Sequence, residues 1–341
     1  MPRAGSRSVS EHSTESLADA LNALCTELGI PFDEMLHTVE GALAAAYVRA
    51  FNPAGSVTVK LDTVTGALDV RGRILHPDGT ETVQALPSED FKRMAAQTAK
   101  HAVLRHIHDL ERDKVLRDVS EHRGELASGV VDRIEGDTVY VDLGRAEGVM
   151  PPEEQIPGEL LHPGRPVLVV IMEAQRNQRQ AQVRVSRASK AFVHRLLEAE
   201  VPEIKAGSVE IRALAREPGL RTKIAVHSNE PGLDPVGACV GPKGVRHRAI
   251  LSELAGEHVD IVPWSDDPEA FVAAALGPAR VESVSIDRTT RTATSLVPRA
   301  QLSLAIGRDG QNARLAAKLT GFRIDIKPSD SEPLPDAEEP A

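Results

Sequence analysis

The stretch "CVGPKGVRHR" (residues 239–248) sets two glycines around a Pro-Lys pair, and "AIGRDGQNAR" (305–314), sixty-six residues later, sets two around Arg-Asp. With 25 glycines in 341 residues, about two Gly-x-x-Gly matches arise by chance, so the spacing alone decides nothing. The decision comes from what surrounds each stretch.

Outward from the first, the pattern runs helix to about Val201, strand 209–216, a turn at Pro218-Gly219, and strand 223–227. A short helix follows with Asp234 at its N-cap and Pro235 at its first position, then the Gly241–Gly244 loop, a helix to Ala255 and the strand "VDIV". Around the second, Asp267-Pro268 starts a helix to Leu276, which Gly277-Pro278 stops. Strands near 280–287 and 293–297 come next, then a short helix from Arg299, the Gly307–Gly310 loop, a helix and the strand "RIDI" (323–326). Each copy reads α-β-β-α-loop-α-β. Repetition of a whole frame marks a duplicated domain.

Upstream the periodicity is different. Leu17, Leu21, Leu24 and Leu28 recur at helical spacing, as do Met35, Leu36, Val39, Leu43 and Tyr47, and these stripes predict a packed helical pair. "SVTVKLDTVTGALDVRGRIL" alternates about Thr65-Gly66 as strand, turn and strand, and a charged helix is expected from Ser88 to about Glu121. From Gly124 to Arg187, four or five short strands broken by Gly, Pro and Asp predict a small closed barrel, since closure removes exposed edges. The fold class is therefore multidomain α+β. Its expected parts are a tail over 1–15, an α/β domain over 16–122, a barrel over 124–187, repeats over 188–263 and 264–327, and an acidic tail over 328–341.

The formal charge of −10 is unevenly spread. Residues 190–327 carry 19 basic against 17 acidic side chains, whereas 1–189 carry 21 against 28 and 328–341 hold five acids and no base. The repeat region alone is slightly basic, which permits a nucleic-acid partner. Cys25 and Cys239 are isolated, and the first fifteen residues lack the apolar centre of a signal peptide. With no run apolar enough to span a membrane, the expected location is cytoplasmic.

A glycine pair between helices lets a ligand approach bare backbone, and the next helix aims its N–H groups and positive dipole end at that place. A sugar–phosphate chain suits it. Gly241, Pro242, Lys243, Gly244, Arg246 and Arg248 form the first candidate site; Gly307, Arg308, Asp309, Gly310, Gln311, Asn312 and Arg314 form the second. Asp309 is discordant beside a phosphate and is expected to cap the following helix. A Walker loop is excluded, because Pro242 precedes Lys243 and no Ser or Thr follows; a dinucleotide loop is excluded, because a helix precedes it.

These helix–GxxG–helix units resemble bacterial-type KH domains, whose loop clamps about four nucleotides of single-stranded RNA. "FVHRLLEAEVPEI", "AREPGLRTKIAV", "DPVGACVGPKGVR", "VDIVPWSDDPEAFVAAALGPA" and "QLSLAIGRDGQNARLAAKLTGFRIDI" together resemble the NusA family of bacterial transcription elongation factors. "VYVDLGRAEGVMPPEEQIPGE" is similar to that family's S1-type OB barrel. A monomeric, non-enzymatic factor without cofactor is the expectation, and the resemblance implies its partners. It would bind RNA polymerase through its N-terminal domain and nascent RNA through barrel and KH domains, modulating pausing, termination and, with other Nus factors and NusG, antitermination. In the barrel, Tyr140, Arg145, Arg184 and Arg187 are the RNA candidates, expected to contribute weakly because Tyr140 is its one aromatic residue.

Other chemistry finds little support. His101, His106 and His108 follow one another at intervals of five and two rather than the i,i+4 of paired ligands, and Asp266-Asp267 before Pro268 read as a helix start. Trp264 is expected to pack the junction of the repeats. A polynucleotide phosphorylase also joins KH and OB modules, but the residues before this barrel are too few for phosphorolytic domains. A translation or ribosome-assembly factor is the other rival.

Overall fold

The computed structural model describes residues 17–76, 80–176 and 181–329, so the two expected tails lie outside the described residues except for Pro328 and Ser329. The chain divides into two compact units, residues 1–114 and 115–341.

In the first unit, α1 (Leu17–Leu28) ends at Gly29 and α2 (Phe32–Phe51) ends at Asn52, whose left-handed φ of 42° turns the chain out of the helix. Strands β1 (Ser56–Leu61) and β2 (Leu68–Leu75) pair antiparallel from Leu61↔Leu68 to Ser56↔Arg73. Asp62 closes their turn by accepting hydrogen bonds from the Val64 and Thr65 amides. A third strand, β3 (Glu81–Ala85), pairs with β2. It was not expected, because all five of its residues are exposed and it carries no apolar alternation. Helix α3 (Lys92–Glu121) begins four residues later than expected, after a turn in which Phe91 N–H donates to Ser88 O. Val39, Leu43 and Tyr47 of α2, Val59, Leu61 and Val70 of the sheet, and Phe91 make the core. The predicted stripe is thus the buried face.

The second unit opens with a closed barrel of β4 (Leu126–Glu135), β5 (Thr138–Asp142), β6 (Glu147–Met150), β7 (Pro166–Arg176) and β8 (Ala181–Ser186). Its order is β4-β5-β6-β8-β7. Val131, Val139, Val141, Met150, Val169, Val183 and Val185 fill its interior. β-branched side chains close so small a barrel without large aromatics.

The first repeat comprises α4 (Lys190–Glu200), α5 (Pro202–Lys205), β9 (Val209–Glu217), β10 (Arg221–Ser228), α6 (Pro235–Val240), α7 (Val245–Glu253) and β11 (His258–Pro263). The second comprises α8 (Pro268–Ala275), β12 (Ser283–Asp287), β13 (Thr292–Pro298), α9 (Leu302–Ile306), α10 (Gln311–Thr320) and β14 (Arg323–Ser329). Both sheets have one antiparallel pair, β9/β10 or β12/β13, and one parallel pair, β10/β11 or β13/β14. A parallel pair needs a crossover, and the helix–loop–helix supplies it. Asp234 and Asp267 are the N-caps expected, accepting from Val236 N–H and Glu269 N–H.

β10 is buried from Thr222 to Val226, covered on both faces. Ile224 and Val226 face the helices of their own repeat. Ala213, Ala215 and Ala225 meet Phe271, Val272 and Ala275 of α8 and Leu315, Ala316 and Leu319 of α10. Small residues on that face let the second repeat's helices seat on the first repeat's sheet. Lys223, fully buried, points the same way and donates to Asp260 Oδ2 at 2.9 Å and to Gly277 O at 2.7 Å. Burial pushes its pKa down while Asp260 opposes the shift. Trp264 packs at the junction: its backbone N–H donates to Val226 O, the His227 ring meets it edge-on, Arg212 lies over its face, and the Phe271 ring of α8 is 6.4 Å away.

Candidate nucleic-acid interface

The two glycine loops have one backbone. Gly241 sits at φ 73°, ψ 171° and Gly307 at 75°, 169°; Lys243 at 52°, 25° and Asp309 at 52°, 26°; Gly244 at 71°, 21° and Gly310 at 72°, 15°. The preceding helix ends the same way in each, Gly241 N–H donating to Gly237 O and Gly307 N–H to Ser303 O. The loop closes with a three-residue turn, Gly244 N–H donating to Gly241 O and Gly310 N–H to Gly307 O. The amides of Val245 and Gln311 likewise donate back, to Pro242 O and Arg308 O. The first amides after each loop are therefore tied into the turn rather than aimed at a ligand.

Glycine is required at the first position of each loop. A Cβ on Gly307 would stand 2.7 Å from Asn312 Cβ and 2.8 Å from Asn312 N, and one on Gly241 would stand 2.7 Å from Arg246 Cγ. At the third position the chain is left-handed. Asp tolerates that region better than most residues, so local conformation accounts for Asp309. The sequence-based expectation that Asp309 caps α10 is not met: the N-cap is Gly310, without a side-chain bond, and Asp309 points to solvent, 92% exposed.

Pro242, Lys243, Arg308 and Asp309 are all exposed, so each corner is open to a strand. The flanking side chains divide. Arg248 donates to Lys243 O at 2.7 Å, as Arg314 does to Asp309 O at 3.2 Å, bracing the turn in both copies. Arg246 is turned away from the corner, donating to Glu203 Oε2 at 2.8 Å and to Ala238 O. Asn312 is fully buried and donates to Leu276 O and Ala305 O. Both were expected to meet RNA; both instead fill the space beneath the first glycine.

Gln311 and Arg314 also reach across to the first repeat. Arg314 makes a bidentate pair with Glu217, Nε to Oε1 at 2.7 Å and Nη2 to Oε2 at 3.0 Å. Gln311 donates to Oε2 at 3.1 Å and Lys318 to Oε1 at 3.3 Å. Arg314 chiefly, with Gln311 and Lys318, holds the Glu217 carboxyl down to about 2. Sequence reasoning missed Glu217: it lies beside a Pro-Gly turn where a solvated acid is ordinary, and its partner is 97 residues away.

The barrel candidates fare worse. Arg187 is buried, donating to Glu159, Leu168 O and Glu253 O. Arg184 is paired with Glu153 and Glu154. Tyr140 has one face covered by Arg133 at 3.9 Å, and Arg133 is itself held by Asp132, Glu135 and Glu147. Arg145 is the most exposed of the four, at 83%, and its Nη1 lies 3.9 Å from Asp118 Oδ2. Among the described residues, carboxylates engage Arg133, Arg145, Arg165, Arg184 and Arg187 of this barrel, which leaves these arginines little free charge for a phosphate chain.

An exposed pair of identical glycine corners on a duplicated α-β-β-α-loop-α-β frame, behind a closed barrel, defines a tandem KH protein. Residues 187–264 match the NusA-like first KH domain and residues 268–333 the NusA-like second KH domain. The transcription termination/antitermination protein NusA of Bacillus subtilis strain 168 is 41% identical over 337 residues, covering 92% of this chain and 91% of its own length. That of Mycobacterium tuberculosis strain H37Rv is 42% identical over 331 residues, covering 94% and 95%. The solution structure of the N-terminal domain of the B. subtilis protein is 33% identical and covers 28% of this chain and 96% of its own, with a TM-score of 0.24. The chain belongs to the NusA family of transcription termination/antitermination proteins.

Proposed function

We propose that this protein is a transcription elongation factor that takes nascent single-stranded RNA at the two glycine corners while bound to RNA polymerase, and so modulates pausing, termination and antitermination. The observation that carries the reading is the exposed corner built twice with the same backbone, in a chain of this family. Pro242-Lys243 and Arg308-Asp309 stand outward where bare glycine backbone leaves room for a ribose–phosphate chain, about four nucleotides to each loop. Lys243 and Arg248 supply charge at the first corner. The N-terminal unit is the part assigned to the polymerase, and other Nus factors and NusG are the partners expected in antitermination complexes. The protein acts as a cytoplasmic monomer without catalytic function.

The deciding experiment combines pull-down against core polymerase and against ribosomal subunits with RNA binding by the Lys243→Ala variant. Capture of polymerase, with weaker RNA binding by the variant, is expected. Capture of ribosomal subunits alone would favour a ribosome-assembly factor. Degradation of labelled RNA in the presence of phosphate and Mg²⁺ would show an RNA-processing enzyme.

A further inference from the structure

The two corners share a backbone but not an electrostatic setting. At the first, Lys243 and Arg248 have no carboxylate partner among the described residues; Arg248 donates to the Lys243 carbonyl and is otherwise exposed. At the second, Arg308 stands beside Asp309, whose Oδ2 is 4.0 Å from its Nε, so the exposed loop is neutral over a distance well inside a Debye length. The two cations of the following helix, Arg314 and Lys318, both reach Glu217, a residue of the other repeat that is 17% exposed. A phosphate arriving at the Nε–Nη2 edge of Arg314 must displace a bidentate guanidinium–carboxylate pair, the strongest common form of charged hydrogen bond.

We infer that Glu217 holds Arg314 and Lys318 away from RNA while Asp309 offsets Arg308, so that the ionic grip on the strand belongs to the first corner and the second holds it through uncharged contacts. The inference rests on the RNA-binding reading above. Glu217 is thereby a positioning residue of the second site, contributed by the first repeat.

The test is the salt dependence of affinity for an unstructured oligoribonucleotide long enough to span both corners, measured on the full chain. Each phosphate contact on a single strand contributes about 0.7 to the slope of log affinity against log salt, or about 2.5-fold in affinity between 50 and 200 mM salt. Lys243→Ala is expected to flatten the slope by about 0.7. Arg314→Gln should flatten it by less than about 0.3 in the wild-type background and by about 0.7 in the Glu217→Gln background, where the guanidinium is released. Asp309→Asn, an exposed change at a left-handed position that Asn also tolerates, should steepen the slope without touching the fold. Equal effects of Arg314→Gln in both backgrounds, or an Asp309→Asn slope equal to wild type, would overturn the inference while leaving RNA binding intact. A Lys243→Ala slope equal to wild type would instead bring down the RNA-binding reading itself.

Discussion

Gly307 and Gly310 belong to the same loop and have nearly the same φ, 75° and 72°, yet they answer to different demands. Gly307 has ψ 169°, a combination essentially closed to residues with a Cβ, and an added Cβ would meet backbone and side chain of buried Asn312 within 2.8 Å. Gly310 has ψ 15°, ordinary left-handed helix, with nothing within 4 Å of an added Cβ. Gly307→Ala is therefore expected to cost about 3 kcal/mol or more, strain and clash together, and Gly310→Ala only about 1 kcal/mol. Urea unfolding followed by Trp264 fluorescence checks this, since the protein's single tryptophan lies in the second unit. Equal losses would mean that the tight packing beneath the first glycine is not what demands glycine there. The sequence showed the four glycines but not this inequality, because which of them carries a neighbour beneath it depends on how the helices around the loop pack.

Between elements, the stabilising charges are the buried ones that bring separate strands and helices together. Glu257, fully buried at the start of β11's approach, accepts from Arg216 Nε and Nη2, from Gly219 N–H and from Thr222 Oγ1. Arg216 in turn donates to Arg187 O and Ser189 O, joining the barrel's end to the first repeat's sheet. Glu257→Gln leaves a guanidinium 1% exposed without its counter-charge, and about 3–5 kcal/mol should be lost. Asp325→Asn, which breaks a pair with Lys327 that is half exposed on both sides, should change stability by no more than about 0.5 kcal/mol. The same fluorescence-monitored unfolding distinguishes them; comparable losses would mean that burial does not set the worth of these pairs. The elements themselves were legible wherever a period, a cap or a turn marked them: the barrel strands, the two repeats, and the Asp234 and Asp267 caps all fall where expected. What failed were β3, which buries nothing, the start of α3, the Asp309 cap, and the partners of Arg187, Arg246 and Asn312. An arginine or asparagine near a loop reads the same in sequence whether it faces solvent or a carbonyl brought in from elsewhere in the chain.

At the scale of the molecule, the second repeat rests on the first through three kinds of contact: the alanine-lined face of β9 and β10, the buried Lys223 reaching Gly277 O, and the Glu217 cluster. The sequence points to a junction at Trp264, but not to one sheet covered on both faces. The Glu217 part of this junction is pH-dependent in a definite direction. Its folded-state pKa is lowered from 4.5 to about 2, so the folded protein favours the carboxylate. The stabilisation is then complete above about pH 4.5 and is lost as protonation proceeds down to about pH 2. Acid weakens every paired carboxylate, so the informative quantity is a difference. Between pH 5 and pH 2.5 the wild type should lose more stability than Glu217→Gln, which has no carboxyl there to protonate, and the two unfolding midpoints should converge as the pH falls. A gap between them that stays constant with pH would mean that Glu217 contributes through packing rather than charge, leaving the apolar face and the Lys223–Gly277 contact to seat the second repeat on the first.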